Sequence, residues 1–175
     1  FDAHQVFEEI RGVLTAGSSG VLTRDAYLAL GVRQSIFPAD QRDQLYDLFE
    51  KYRHWLVEAK LYDLNLVAQD WQPLAAPRYD FVVIDEVQDI TTVQLALVLK
   101  TLRKPGHFLL CGDSNQIVHP NFFAWSQVKS LFWKDPKLAE RQELHVLTAN
   151  FRNGLQATPV ANQLLKISHN GFDSS

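Results

Sequence analysis

The sequence predicts an α/β protein in which helices flank a parallel sheet and a mostly helical subdomain precedes that sheet. After residue 78, the short apolar segments 81–84, 107–111 and 144–148 alternate with helical stretches, and this alternation is typical of a parallel sheet. Before residue 75, apolar residues recur at helical spacing instead. We therefore expect a helical accessory subdomain over residues 1–75, an α/β domain over residues 76–148, and the start of a further domain over residues 149–175.

Four helices are expected in the first part. Apolar residues of the first helix recur at helical spacing until residues 17–20 interrupt them, and Thr23 is predicted to cap a short helix that ends at Gly31. Pro38 and Asp40 are predicted to open a longer helix with an apolar side. That side carries Leu45, Leu48, Phe49, Tyr52, Trp55 and Leu56. A further short helix is expected over residues 61–68.

The helices expected among the strands are residues 92–102, 124–132 and 136–141, and a last helix is expected over residues 155–167. Together with the three strands they complete the predicted α/β arrangement.

The composition narrows the class of protein. With 46% apolar and 21% charged residues the chain is globular, and its net charge of −3 means that any nucleic-acid contact must be local. No apolar stretch approaches the roughly 20 residues that a membrane helix needs, so no membrane partner is expected. Cys111 is the single cysteine, which favours a reducing compartment such as the cytoplasm or nucleus. Because apolar residues precede Cys111, we expect it to be buried.

Acidic residues follow the first predicted strand directly. Asp85 and Glu86 stand where the strand should end, and the carboxyl ends of parallel strands are where functional groups collect. An aspartate in this place can hold Mg²⁺, and a neighbouring glutamate can orient and deprotonate a water molecule. A solvated acidic loop that precedes the helix beginning near Thr91 is the alternative interpretation.

The next two predicted strands also end in polar residues. Gly112 lets the backbone turn after the second strand, Asp113 offers another carboxylate, and Gln116 offers an amide that could sense a phosphate. Arg152 follows the third strand, and its guanidinium suits the charge of a phosphoryl group. Each residue alone is equally explained by a turn, a cap or a surface arginine, but their order along the chain favours a nucleotide site.

Three motifs together resemble motifs II, III and IV of superfamily 1 helicases of the UvrD/Rep type. They are DEVQD at residues 85–89, GDSNQ at residues 112–116 and ANFRN at residues 149–153, where the family has DExQD, GDxxQSIY and NYRS. Residues 46–68 also resemble the helical stretch that precedes motif II. The resemblance implies a fragment of an ATP-dependent DNA helicase or translocase, with residues 76–148 as a partial RecA-like motor domain and residues 149–175 as the start of the second.

The resemblance also implies roles for individual residues. Asp85 would coordinate Mg²⁺, and Glu86 would act as the general base for ATP hydrolysis. Gln88 and Gln116 would report the γ-phosphate to the DNA site, and Arg152 would be an arginine finger. Asp89 and Asp113 are expected to hold the loops in place.

The sequence departs from the family pattern after Gln116. His119 occupies the family's tyrosine position, and Phe123 and Trp125 follow it. In the family such aromatic residues stack on the bases of single-stranded DNA, which tolerates any sequence. We expect at least one of these three residues to contact DNA, with packing in the core or a loop as the alternative.

The chain has no phosphate-binding loop of the form G-x-x-x-x-G-K-[ST], in which the lysine reaches the β- and γ-phosphates. The nearest match, residues 12–19, has Ser18 in place of the lysine and follows a helix instead of a strand. We therefore expect the loop upstream of Phe1 in a longer parent, the later motifs downstream of Ser175, and an isolated chain that is inactive.

Two other hypotheses remain open at this stage. One is a non-catalytic interaction or regulatory module with a helicase-like fold. The other is a metal-dependent phosphohydrolase that uses Asp85, Glu86, Asp89 and Asp113 directly. Retention of Glu86 together with Arg152 favours the helicase, and the histidines near the acids form no pattern of metal ligands.

Overall fold

The structure is a computed structural model, and it describes residues 1–113. In chain order these form α1 (Ala3–Glu9), a π-helical turn (Ile10–Leu14), α2 (Arg24–Leu28), α3 (Arg42–Ala59), α4 (Leu64–Trp71), β1 (Val82–Ile84), a 3-10 turn (Val87–Asp89), α5 (Thr92–Lys100) and β2 (Phe108–Leu110). The two strands are parallel, with Val83 opposite Leu109. Helices with a parallel pair of strands agree with the predicted α/β class. The expected strand at residues 144–148 and the helices expected beyond residue 113 lie outside the described residues.

Side-chain caps fix where α2 and α4 begin. Thr23 caps α2 as predicted, because its Oγ1 accepts the amide of Ala26 at 3.3 Å. Asp63 caps α4 by accepting the amides of Asn65 and Leu66 at 2.9 and 3.1 Å. This cap explains why the helix predicted over residues 61–68 is instead Leu64–Trp71.

The helix α3 ends in a Schellman motif. The amide of Leu61 donates to the carbonyl of Leu56 at 2.9 Å, and the amide of Lys60 donates to that of Val57 at 3.2 Å. Lys60 has φ 53° and ψ 40°, the left-handed conformation that this motif requires and that glycine usually supplies. Because a lysine takes this position, no glycine in the sequence marks the end of α3.

The first apolar core lies among the helices. It contains Val6, Ile10, Leu14, Tyr27, Phe37, Leu45, Tyr46 and Phe49. Two residues predicted on the apolar side of α3 lie outside the core, since Leu48 is 38% exposed and Trp55 is 52% exposed. The buried residues of α3 include Arg42 and Tyr46, so the buried stripe is turned toward these two residues and leaves Leu48 and Trp55 at its margin.

A second, smaller core lies between the strands and α5. Val87 and Leu95 are its buried members, and Ile84, Phe108 and Leu110 pack against them. Successive side chains of a strand point to opposite faces, which places Val83 and Leu109 on the other face of the sheet. Cys111 follows the end of β2 and is half-buried, so the prediction of a fully buried cysteine was wrong. Within residues 1–113, no helix is long and apolar enough to cross a membrane.

Candidate functional site

The carboxyl ends of β1 and β2 lie side by side and bring two acidic segments to one edge of the sheet. Ile84 is opposite Leu110, and the amide of Cys111 donates to the carbonyl of Ile84 at 2.8 Å. One turn further, the amide of Val87 donates to the carbonyl of Cys111 at 2.9 Å. Asp85 and Asp113 therefore follow paired strand ends at the same edge.

Glu86 has a left-handed backbone, with φ 50° and ψ 44°. This conformation costs a residue with a side chain about 1–2 kcal/mol, and such strained residues cluster at functional sites. The carboxylate of Asp85 supports the turn, since its Oδ1 accepts the amide of Glu86 at 2.9 Å. Both acidic side chains are exposed, so a ligand can reach them.

Gln88 joins the two strand ends through its side chain. Its Nε2 donates to Oε2 of Glu86 at 2.7 Å, and its Oε1 accepts the amide of Asp113 at 3.2 Å. The partners fix the orientation of the amide, because a carboxylate can only accept and a backbone N–H can only donate. Gln88 itself is only 7% exposed, whereas both hydrogen bonds of the bridge are partly buried. Sequence reasoning did not predict the bridge.

Gly112 makes room for that bridge. A Cβ at this position would lie 2.6 Å from Oε1 of Gln88 and 2.8 Å from Cγ1 of Val87. The sequence suggested that Gly112 serves a backbone turn. Among residues 1–113, however, the glycines with positive φ are Gly20 and Gly106. The close approach of Gln88 is therefore what requires glycine here.

Two residues that the sequence did not single out hold the downstream end of residues 85–91, which we call the acidic loop. The guanidinium of Arg11 donates to the backbone carbonyl of Asp89 at 3.2 Å. The hydroxyl of Thr91, at the start of α5, donates to Oδ1 of Asn65 at 2.6 Å. Arg11 and Asn65 belong to distant helical segments, and no local pattern in the sequence indicates that they meet the loop.

Within the part of the chain that the structure describes, no three His, Cys, Asp or Glu side chains come together as metal ligands. A single exposed carboxylate, such as Asp85, fits Mg²⁺, which usually takes one or two carboxylates, substrate phosphates and several waters. Of the other predicted site residues, Gln116, His119, Phe123, Trp125 and Arg152 lie outside the described residues.

The matched region of a protein family covers this site. Residues 37–125 match the UvrD/REP helicase N-terminal domain, which is just over half of the 175 residues. The chain therefore belongs to the UvrD/REP helicase family.

A curated relative is TPR and ankyrin repeat-containing protein 1 from Homo sapiens, 26% identical over 150 residues. The match covers 77% of this chain and 5% of that protein, so the chain spans about 5% of the length of this relative. No solved structure matches the chain with significance.

Proposed function

We propose that this chain supplies the Mg²⁺-binding aspartate and the general base of an ATP-driven DNA helicase or translocase. The observation that carries the proposal is the Gln88 bridge, which holds the carboxylate of Glu86 at 2.7 Å and the amide of Asp113 at 3.2 Å. Family membership supports a helicase-related role, and the bridge supports a catalytic one. A loop without catalysis has no need of a strained, exposed glutamate whose carboxylate is held in place.

In the proposed reaction, one oxygen of Glu86 is held by Gln88 and the other accepts the proton of an attacking water. The water oxygen forms a bond to the γ-phosphorus of ATP, the bond from that phosphorus to the bridging oxygen breaks, and ADP leaves with the electron pair. Asp85 would hold Mg²⁺, which neutralises charge on the phosphates. Holding Glu86 in one place saves the entropy of orienting the base during each turnover.

The proposal assigns the coupling to DNA to the segment that follows β2. Gln88 contacts the amide of Asp113, and Gln116, His119, Phe123 and Trp125 follow Asp113 along the chain. Stacking of single-stranded DNA on His119, Phe123 or Trp125 would pull on the segment. A displacement of Asp113 would then reach Glu86 through Gln88. Arg152 would stabilise the charge that develops on the γ-phosphoryl group.

ATP hydrolysis is proposed for the complete protein that carries this chain. The 175 residues contain no Gly-Lys-Ser/Thr phosphate loop, and without its lysine and backbone amides the phosphates lack a cradle. We therefore propose that the isolated chain binds Mg-ATP weakly and does not turn it over.

The test measures ATP hydrolysis by the complete protein with and without single-stranded DNA. Glu86→Gln should lower turnover by about 10²–10⁴-fold, as expected for a lost general base, while ATP still binds. Glu58→Gln is the matched control, because Glu58 is exposed on α3 and should leave turnover unchanged. A wild-type protein without DNA-stimulated hydrolysis would contradict the proposal and support the non-catalytic module instead.

A further inference from the structure

Asn65 lies in α4 and makes four side-chain hydrogen bonds to two separate segments, residues 11–15 and residues 91–94. Its Nδ2 donates to the carbonyl of Arg11 and to Oγ1 of Thr15, both at 2.9 Å. Its Oδ1 accepts the hydroxyl of Thr91 at 2.6 Å and the Nε2 of Gln94 at 2.9 Å. An asparagine side chain offers two donors and two acceptor lone pairs, so its whole capacity is used.

The partners require an asparagine at this position. The hydroxyl of Thr15 donates to the carbonyl of Ile10 at 2.7 Å, so its oxygen must accept from Asn65. An aspartate would present only acceptors to that oxygen and to the carbonyl of Arg11. The site is dry, since Asn65, Thr15 and Thr91 are 2%, 0% and 1% exposed. A partner left unsatisfied there loses its hydrogen bond without water to replace it.

These bonds converge on the downstream end of the acidic loop. Thr91 is the N-cap of α5 and follows the 3-10 turn that ends at Asp89. Gln94 belongs to the same cap, since its Oε1 accepts the amide of Thr91 at 3.3 Å. The same asparagine holds the carbonyl of Arg11, whose guanidinium donates to the carbonyl of Asp89. Asn65 therefore takes part in two attachments of residues 85–91, one through Thr91 and Gln94 and the other through Arg11.

We propose that Asn65 is a positioning residue, which fixes the acidic loop against the helical region and so holds Glu86 and Gln88 in the arrangement that hydrolysis needs. The pairing of β1 with β2 already fixes the upstream end of the acidic loop, and Asn65 holds the downstream end. The effect on turnover rests on the proposed function, whereas the effect on the loop does not. The competing interpretation is that Asn65 only stabilises the packing of α4.

The experiment compares variants of the complete protein by hydrogen exchange and by ATPase kinetics. In Asn65→Ala, exchange of the amides in residues 85–91 should rise by about tenfold or more, the equivalent of about 1.4 kcal/mol. Turnover number should fall by at least about tenfold while KM for ATP changes less than about threefold, because the base is misplaced and the phosphate contacts are not.

Tyr52→Phe is the matched control. It removes the hydrogen bond from the phenol of Tyr52 to Oδ2 of Asp63 at 3.1 Å, which affects the cap of α4 and not the side-chain bonds of Asn65. Loop exchange in this variant should stay within about twofold of wild type. A second pair guards against an Asn65 variant that does not fold: Thr91→Val should loosen the loop, whereas Thr91→Ser keeps the hydroxyl and should behave as wild type.

Loop exchange in Asn65→Ala and Thr91→Val that rises no further than in Tyr52→Phe would overturn the proposal and leave Asn65 a packing residue. If the wild-type protein does not hydrolyse ATP, the proposed function fails. The exchange comparison would still decide the role of Asn65, because it needs no activity.

Discussion

The side-chain amide of Gln88 lies between Glu86 and Asp113, with Nε2 at 2.7 Å from the carboxylate oxygen of Glu86 and Oε1 at 3.2 Å from the amide nitrogen of Asp113. One residue thus links the end of β1 to the end of β2 through two hydrogen bonds. One of the bonds goes to a charged acceptor, which makes it the stronger of the two. Changes at Gln88 and Glu86 should therefore lower ATP turnover, whereas a change at Gly112 should lower the free energy of unfolding.

Gln88→Glu should remove the hydrogen bond that holds the carboxylate of Glu86 while keeping the size of the side chain. The new carboxylate can still accept the amide of Asp113, but it cannot donate to Glu86 and it repels the charge there. We expect turnover to fall by at least about tenfold, since a charged hydrogen bond is worth about 1.5–3 kcal/mol, with ATP affinity within about threefold. ATPase kinetics and nucleotide titration measure the two effects. Gln44→Glu, exposed on α3, adds the same charge as a control, and equal turnover in both variants would refute a role for the bridge.

Gly112→Ala should destabilise the fold at the bridge. The added methyl would lie 2.6 Å from Oε1 of Gln88 and 2.8 Å from Cγ1 of Val87, so one of them must move. Overpacking of this kind costs about 1–3 kcal/mol of unfolding free energy, which urea denaturation measures. Gly17→Ala is the control, because its nearest neighbour, the carbonyl oxygen of Gly20, would lie at 3.5 Å. Equal stability of the two variants would show that Gln88 and Val87 can move away from the added methyl without loss of unfolding free energy.

The sequence predicted the two strand ends well and the contacts between them poorly. Apolar segments followed by Asp85 and Asp113 indicate parallel strands because burial and polarity change abruptly there, and the structure confirms the parallel pairing of β1 with β2. The bridge through Gln88 depends on the register of Ile84 with Leu110, which no local pattern encodes.

The Asn65 contacts illustrate the same limit. Asn65 meets Arg11, Thr15 and Thr91 only because α4 packs against α5 and against the turn after α1. Sequence periodicity identifies each helix but not the neighbour of its polar residues. Leu48 and Trp55 are exposed for a related reason, because periodicity groups the apolar residues of α3 on one side but does not show which part of that side its neighbours cover.

Within residues 1–113, two residues other than glycine adopt left-handed backbones, Lys60 at φ 53° and Glu86 at φ 50°. Lys60→Gly should raise the free energy of unfolding by about 0.5–1 kcal/mol, because glycine has no Cβ penalty there. Glu86→Gly should gain less, because it removes the acceptor of Gln88 Nε2, and it should also lose turnover. Denaturation and ATPase assays separate the two effects. A larger gain for Glu86→Gly than for Lys60→Gly would mean that the hydrogen bond to Glu86 contributes nothing.

Alkaline pH should weaken the helical region through Tyr52, which is half-buried, and Tyr27, which is buried. Burial, and then the charge of Asp63, raise the pKa of Tyr52 to about 12, against about 10 in an unfolded chain. Burial is also the main cause of a raised pKa at Tyr27, which donates to Glu9. Because both folded pKa values lie above the unfolded value, this stabilisation is complete below about pH 10 and is lost as the pH rises above it.

Urea midpoints measured at a series of pH values between about 9 and 12 test this sign. The midpoint of the wild type should fall across the range, and that of Tyr52→Phe should fall less because one titrating phenol is gone. Parallel curves would show that Tyr52 titrates alike in the folded and unfolded states.

Arg152 carries the last prediction, which concerns the chemical step. We expect it to be needed for turnover and not for binding, since a finger acts on charge that develops as the γ-phosphoryl group departs. Arginine fingers contribute about 10³–10⁵ in rate, so Arg152→Ala in the complete protein should abolish DNA-stimulated hydrolysis while ATP affinity changes far less. Arg152→Lys should restore little, because an ammonium keeps the charge and loses the bidentate fork. An arginine that only pairs with a surface acid is worth at most about 1 kcal/mol. An alanine variant that keeps more than about a tenth of wild-type turnover, a loss below about 1.4 kcal/mol, would assign Arg152 to that lesser role.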